Sequence, residues 1–113
     1  MKAAAFATEA RRLRRESGLS AEQIARATGA APSTVRGWIG RHSEPRGLRA
    51  ERVAELAGIT ERLERVMPKI YVPLWLSKPI EALDFEKPLD LIASGEYLRV
   101  ARVISAIEDP GTV

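Results

Sequence analysis

Two helix starts and two helix stops, crowded between Ser20 and Gly40, constrain this chain more than any other feature. Ser20-Ala21-Glu22-Gln23 is a capping box: the serine hydroxyl can accept the amide three residues on, and Gln23 can reach back to the serine amide. Leu19 and Ile24 flank the cap at the positions of a hydrophobic staple. Gly29 ends the first helix where the chain must take a positive φ. Pro32 opens the second, because its missing N–H costs nothing at a first helical position and its φ is already set. Gly40, Pro45 and Gly47 then mark an end and a loop. Ala25 falls where two such helices cross, and only a small side chain lets them approach. Ile24, Ala30, Val35 and Trp38 take the positions that bury the pair against a neighbour. This is the spacing that a helix-turn-helix requires.

In that motif the second helix lies in the major groove with its N-terminal residues toward the bases. Ala31, Pro32, Ser33, Arg36 and Gly37 face outward from the start of that helix. Arg36 is the candidate for a guanine contact, while Ser33 and Thr34 are short enough for phosphate or base-edge bonds. Arg26, Arg41 and the Arg11–Arg15 cluster are candidates for phosphate neutralisation. Charge agrees with this placement. Residues 1–52 carry 11 basic and 5 acidic side chains, whereas residues 53–113 carry 7 and 10. Fourteen of the 18 basic residues are arginine, whose planar fork of donors suits phosphate and guanine edges. A solvated surface of mixed charge is the alternative reading of the same numbers.

The remaining segments are helical as well. Residues 2–16 place Ala3, Phe6, Ala10 and Leu13 on one face and Arg11, Arg14 and Arg15 on the other, with Gly18 as the stop. A long helix over Arg49–Met67 carries Val53, Leu56, Ala57, Thr60, Leu63 and Met67 in its stripe, and Gly58 is a candidate break within it. Prolines 68, 73, 79 and 88 punctuate short helices over 70–77, 79–84 and Pro88–Ala93, packed around Trp75, Leu83, Leu89 and Val100. Gly95 precedes a last amphipathic helix, Glu96–Glu108, and Asp109–Val113 is a non-helical tail. No segment alternates with period two, so the fold class is all-α. The chain divides into residues 1–48 and residues 49–113.

Several function classes drop out. The chain has no cysteine and one histidine, His42, which removes disulfides, thiolate chemistry, histidine metal clusters and most catalytic triads. His42 and Ser43 adjoin in a loop with no orienting partner, and no metal or cofactor ligand set is present. Glu81, Asp84, Glu86 and Asp90 read as solvated or helix-start acids rather than catalytic carboxylates. The longest apolar run, Ile70–Leu76, is seven residues with Pro73 inside it, too short to span a bilayer. The short apolar start, Ala3–Ala7, gives way to Thr8 and Glu9 before it could serve as a signal peptide. A cytoplasmic, non-enzymatic protein is expected, without cofactor or metal.

Residues 6–50 resemble the Xre-type helix-turn-helix used by phage-like repressors and many antitoxins. Downstream, three blocks stand in order: Trp75-Leu76-x-x-Pro79, Pro88-Leu89-Asp90-Leu91 and Gly95-Glu96-Tyr97-x-x-Val100. Their pattern, over residues 50–113, resembles the toxin-binding domain of Xre/MbcA/ParS-type antitoxins. The chain departs from it at Ile80, where asparagine often follows the proline, and at Phe85, where glycine is frequent. The resemblance implies a toxin encoded beside the chain, usually a RES-domain protein that degrades NAD, blocked by the antitoxin's last helix and C-terminus. Carried onto this sequence, the contact region is Glu96–Val113, with Tyr97, Arg99, Arg102, Asp109, Pro110, Gly111, Thr112 and Val113 as candidate contacts. Ordinary helix solvation is the plainer role for Arg99 and Arg102. Reading a two-fold operator requires a homodimer or a larger symmetric complex with toxin. The competing expectation is a stand-alone dimeric repressor whose C-terminal half only dimerises or senses a small molecule.

Overall fold

The computed structural model describes the backbone over residues 2–111 and side chains over residues 5–111. Ala3, expected in the first helix's apolar stripe, and Thr112 and Val113, expected contacts, lie outside those described side chains.

Helix α1 (Lys2–Arg15) buries Ala7, Ala10 and Leu13. Phe6, expected on the same stripe, is only half-buried. Gly18 turns the chain at φ 76°, and the Leu19 amide bonds back to the Leu13 carbonyl at 3.0 Å, closing the helix end. Helix α2 (Ala21–Thr28) starts on the expected capping box: Ser20 Oγ accepts the Gln23 amide at 3.0 Å, and Gln23 Oε1 accepts the Ser20 amide at 2.9 Å. Gly29 ends α2 at φ 77°, a left-handed conformation that costs a residue with Cβ. Helix α3 (Pro32–Ile39) begins at the proline and buries Val35 and Trp38 against α1 and α2. Leu19, Ile24, Ala25 and Ala30 are all buried, as the staple and the helix crossing demand.

Helix α4 (Gly47–Val66) begins two residues earlier than the pattern predicts and runs unbroken through Gly58. Packing explains the continuity. Val53, Leu56, Ile59, Thr60 and Leu63 are buried on both sides of the glycine, and α1, α2, α5, a helix before the last and the last helix all pack on α4. That burial outweighs the roughly 1 kcal/mol that glycine costs in a helix interior. The helix stops at Met67 because Pro68 follows. The expected division after residue 48 falls within its first turn.

A 3₁₀ turn, Lys69–Tyr71, leads into α5 (Val72–Ser77). Val72 and Leu76 are its buried residues, and Trp75, expected at the centre of this packing, lies half-buried at its edge. The expected helix over 79–84 is instead a tight loop. Ile80 is extended, a 3₁₀ turn covers Glu81–Leu83, and Asp84 and Phe85 follow at φ 55° and 63°. The Phe85 amide bonds the Ile80 carbonyl at 2.9 Å and the Ile80 amide bonds the Glu86 carbonyl at 3.1 Å, so the loop returns on itself. This geometry buries Leu83 and sends Phe85 outward. Helices α6 (Pro88–Ala93) and α7 (Tyr97–Glu108) complete the chain. Among the described residues there is no strand, only the Ile80–Glu86 bridge, and one hydrophobic cluster runs from Ala10 to Ile104. The protein is all-α.

Candidate functional site

The outer face of α3 is built by its short length. Ser33 and Arg36 stand three residues apart, hence on one helix face, and both are exposed. Thr34 is turned partly inward. Gly37 packs close to the following loop: a Cβ there would lie 2.8 Å from Ser43 Oγ, which would have to rotate away. Arg36 Nη2 lies 2.5 Å from Glu22 Oε2 on the first turn of α2, so α2 and α3 share an exposed ion pair in front of the motif. Such an exposed pair is worth at most about 1 kcal/mol. Arg41 is exposed in a left-handed turn just past the end of α3, at the opposite end from Ser33.

Arg26 is paired with a neighbouring helix. Its Nε and Nη2 grip both carboxylate oxygens of Asp90 on α6, the second at 3.1 Å, and this bond holds the guanidinium pKa above its usual range. The residue ties α2 to the C-terminal helices. Gln23 does the same from the preceding turn, donating to the Pro73 carbonyl at 2.9 Å and to Ser77 Oγ at 2.6 Å. Arg11 reaches back to the Trp38 carbonyl at the end of α3 rather than out to solvent. The structure therefore gathers Ser33 and Arg36 on one surface, with Thr34 at its edge, and pairs Arg26 with Asp90 of α6.

The C-terminal candidates separate similarly. Arg99 is committed inside the chain: it bonds Glu86 at 3.0 Å, Asp84 at 3.3 Å, Glu96 at 3.4 Å and the Leu83 carbonyl at 3.4 Å. It pins the 80–86 loop to α7, and the Glu86 hydrogen bond holds its pKa above the usual range. Arg102, one turn later, is exposed and borders a shallow hollow with Ala82, Leu83 and Val103. Tyr97 is half-buried against the core, beside Ile59 and Arg62 of α4. Arg62 bonds Ser105 at 3.0 Å and Glu108 at 2.6 Å, fastening the far end of α7 to α4. Asp109, Pro110 and Gly111 project beyond that fastening, all exposed.

Sequence reasoning missed an apolar surface. Ile70, Tyr71 and Leu74 are exposed at 76%, 56% and 63%, and the spacing of the last two places them on one side of the turn leading into α5. The available signal was the unbroken apolar run Ile70–Leu76, since a six-residue helix against one core cannot bury every side. Phe85 and Leu98 are also exposed. Among the described residues no helix is long and apolar enough to cross a membrane.

No family model matches the chain. Mycobacterial cidal antitoxin MbcA of Mycobacterium tuberculosis is 33% identical over 92 residues, which cover 81% of each chain, and so is MbcA of Mycobacterium bovis. A chain in the crystal structure of the M. tuberculosis MbcT–MbcA toxin–antitoxin complex superposes with a TM-score of 0.79 at 31% identity, over 97% of this chain and 96% of that one. Identity at this level over most of both lengths, with the same helical arrangement, shows that the chain belongs to the MbcA family of antitoxins.

Proposed function

We propose that this antitoxin neutralises a cognate toxin, of the RES type that degrades NAD, by direct contact through residues 49–113. Residues 1–48 bind the operator of the same gene pair in the cytoplasm. The observation that carries the reading is the likeness, along nearly the whole chain, to a protein crystallised as part of a toxin–antitoxin complex. On the toxin side the contact surface is the exposed end of α7 with Arg102, Tyr97 at its edge and the tail Asp109–Val113, while Arg99 shapes the adjoining loop. On the DNA side Ser33, Thr34 and Arg36 meet the major groove, and Arg41 meets phosphate. Arg26, paired with Asp90, ties α2 to α6 beside that surface. Two copies related by a two-fold axis present two α3 helices to a palindromic site.

Co-expression with the product of the adjacent gene, followed by pull-down and growth rescue, tests the reading. A complex that restores growth is expected, with rescue reduced when Asp109–Val113 is deleted and DNA binding kept. Arg36→Ala should weaken operator binding by about 1–3 kcal/mol in a mobility-shift titration. A neighbouring product that is neither toxic nor bound would overturn the antitoxin role and leave a stand-alone repressor.

A further inference from the structure

Only four buried side-chain nitrogen or oxygen atoms among the described residues lack a hydrogen-bond partner, and three of them line one groove. They are Glu9 Oε2 on α1 and Thr60 Oγ1 and Glu64 Oε2 on α4. Buried polar atoms are almost always paired, so three orphans converging on one place need a common explanation. The groove lies between α1 and α4, encloses about 230 Å³ and is also lined by Arg12, Ser17, Gly58 and Glu61. Thr60 is only 1% exposed and is the most deeply buried polar or charged residue among those described.

The charges around it do not cancel. Arg12 is directed to Glu16 at 3.2 Å and Glu61 to Arg65 at 2.8 Å. Glu9 and Glu64 are left facing the groove, each with one oxygen removed from water. The orphans comprise two carboxylate oxygens and a hydroxyl that can also accept, so the complementary group carries positive charge and several donors. A guanidinium meets that description: it is planar, stays ionised and offers five N–H groups in a fixed fork. Size agrees, since the groove is smaller than the 300–1,000 Å³ or so usual for drug-sized ligands and cofactors, yet holds several times the roughly 30 Å³ of one water.

We propose that the α1–α4 groove is a binding site for a guanidinium group, held between Glu9 and Glu64 with Thr60 at its floor. The site is separate from both the α3 surface and the α7 tail, and only its toxin-arginine source rests on the proposed toxin contact. The guanidinium comes either from a free guanidino compound or from an arginine of the toxin.

The probe is N-acetyl-arginine amide, titrated into the full chain and followed by amide NMR shifts at Ser17, Gly58 and Thr60. Saturable shifts are expected there, weakened roughly tenfold by Glu9→Gln or Glu64→Gln because each removes a charge-assisted bond. The neutral isostere N-acetyl-citrulline amide should give no saturable shift. Thermal melts of both variants control for folding, with midpoints equal to or above wild type, since each substitution replaces a partly buried, unpaired charge with a neutral amide. Equal response to the citrulline derivative, no saturable response from the folded protein, or a crystal structure with the probe present showing only ordered water in the groove would overturn the site. Toxin affinity measured on the same variants then separates the sources. A weakened complex assigns the guanidinium to the toxin, and an unchanged one, with probe binding intact in wild type, assigns it to a free compound.

Discussion

Gln23 joins the helix-turn-helix to the C-terminal helices, and its two functions can be separated by mutation. Its Oε1 completes the capping box on Ser20 at 2.9 Å, while its Nε2 donates to the Pro73 carbonyl and to Ser77 on α5. Each neutral bond contributes about 0.5–1.5 kcal/mol net. Gln23→Ala loses all three, so a destabilisation of about 2–3 kcal/mol is expected. Gln23→Glu keeps an acceptor for the Ser20 amide and sits favourably at a helix N-terminus, yet it removes both donors and turns a carboxylate toward the Pro73 carbonyl. If the strut to α5 matters, Gln23→Glu costs about 1–2 kcal/mol, or roughly 4–8 °C in midpoint for a chain of this length. If only the cap matters, Gln23→Glu matches wild type. Urea denaturation followed by both far-UV circular dichroism and tryptophan fluorescence decides, because Trp38 sits within the motif on α3 and Trp75 on α5. A Gln23→Glu protein within about 0.5 kcal/mol of wild type would refute the claim that this bond couples the two regions.

Further outcomes follow from the same structure. Leu76→Ala empties a fully buried site and should cost about 2–5 kcal/mol, whereas Leu74→Ala, exposed at 63%, should stay within about 0.5 kcal/mol on chemical denaturation. Phe85→Gly should raise stability by about 1 kcal/mol, because a left-handed aromatic residue gives way to one that tolerates φ 63°; an unfolding midpoint below wild type would contradict this. The acid limb of the stability–pH curve should shift oppositely in two variants. Arg62 holds the Glu108 carboxyl below its ordinary 4.5, so that stabilisation is present above 4.5 and lost as pH falls through the lowered value; Glu108→Gln should remove the loss. Burial holds Glu9 above 4.5 against the pull of Arg12, so its charged form destabilises the fold at neutral pH. That penalty is relieved as pH falls through the raised value, and any gain from Glu9→Gln should vanish toward pH 4. Denaturation midpoints measured from about pH 7 down to about pH 3 test both signs.

The helix-turn-helix was legible because its determinants are local. Ser20 and Gln23 are three residues apart, Gly29 needs only its own φ, and Pro32 needs only its own ring, so spacing alone carries the geometry. The all-α class followed for the same reason. Gly58 shows the limit of such reasoning: propensity marks a candidate break, while burial on both sides keeps α4 continuous. The loop at 80–86 was misjudged because its conformation rests on a return contact between Ile80 and Glu86 and on Arg99, thirteen residues beyond Glu86.

Composition and periodicity determined by themselves which residues are basic, which are apolar and where most of the helices lie. They could not determine what each arginine holds. Arg26, Arg36 and Arg99 look alike in sequence, yet one pairs with Asp90 of α6, one with Glu22 in front of α3, and one pins a loop. The same is true of Glu9 on α1, fifty-one or more residues from Thr60 and Glu64 on α4, whose unpaired oxygens line one groove only once those helices pack. A long flexible side chain takes its partner from whatever the fold brings within about 3 Å, and that neighbour is set by packing between helices, not by local spacing.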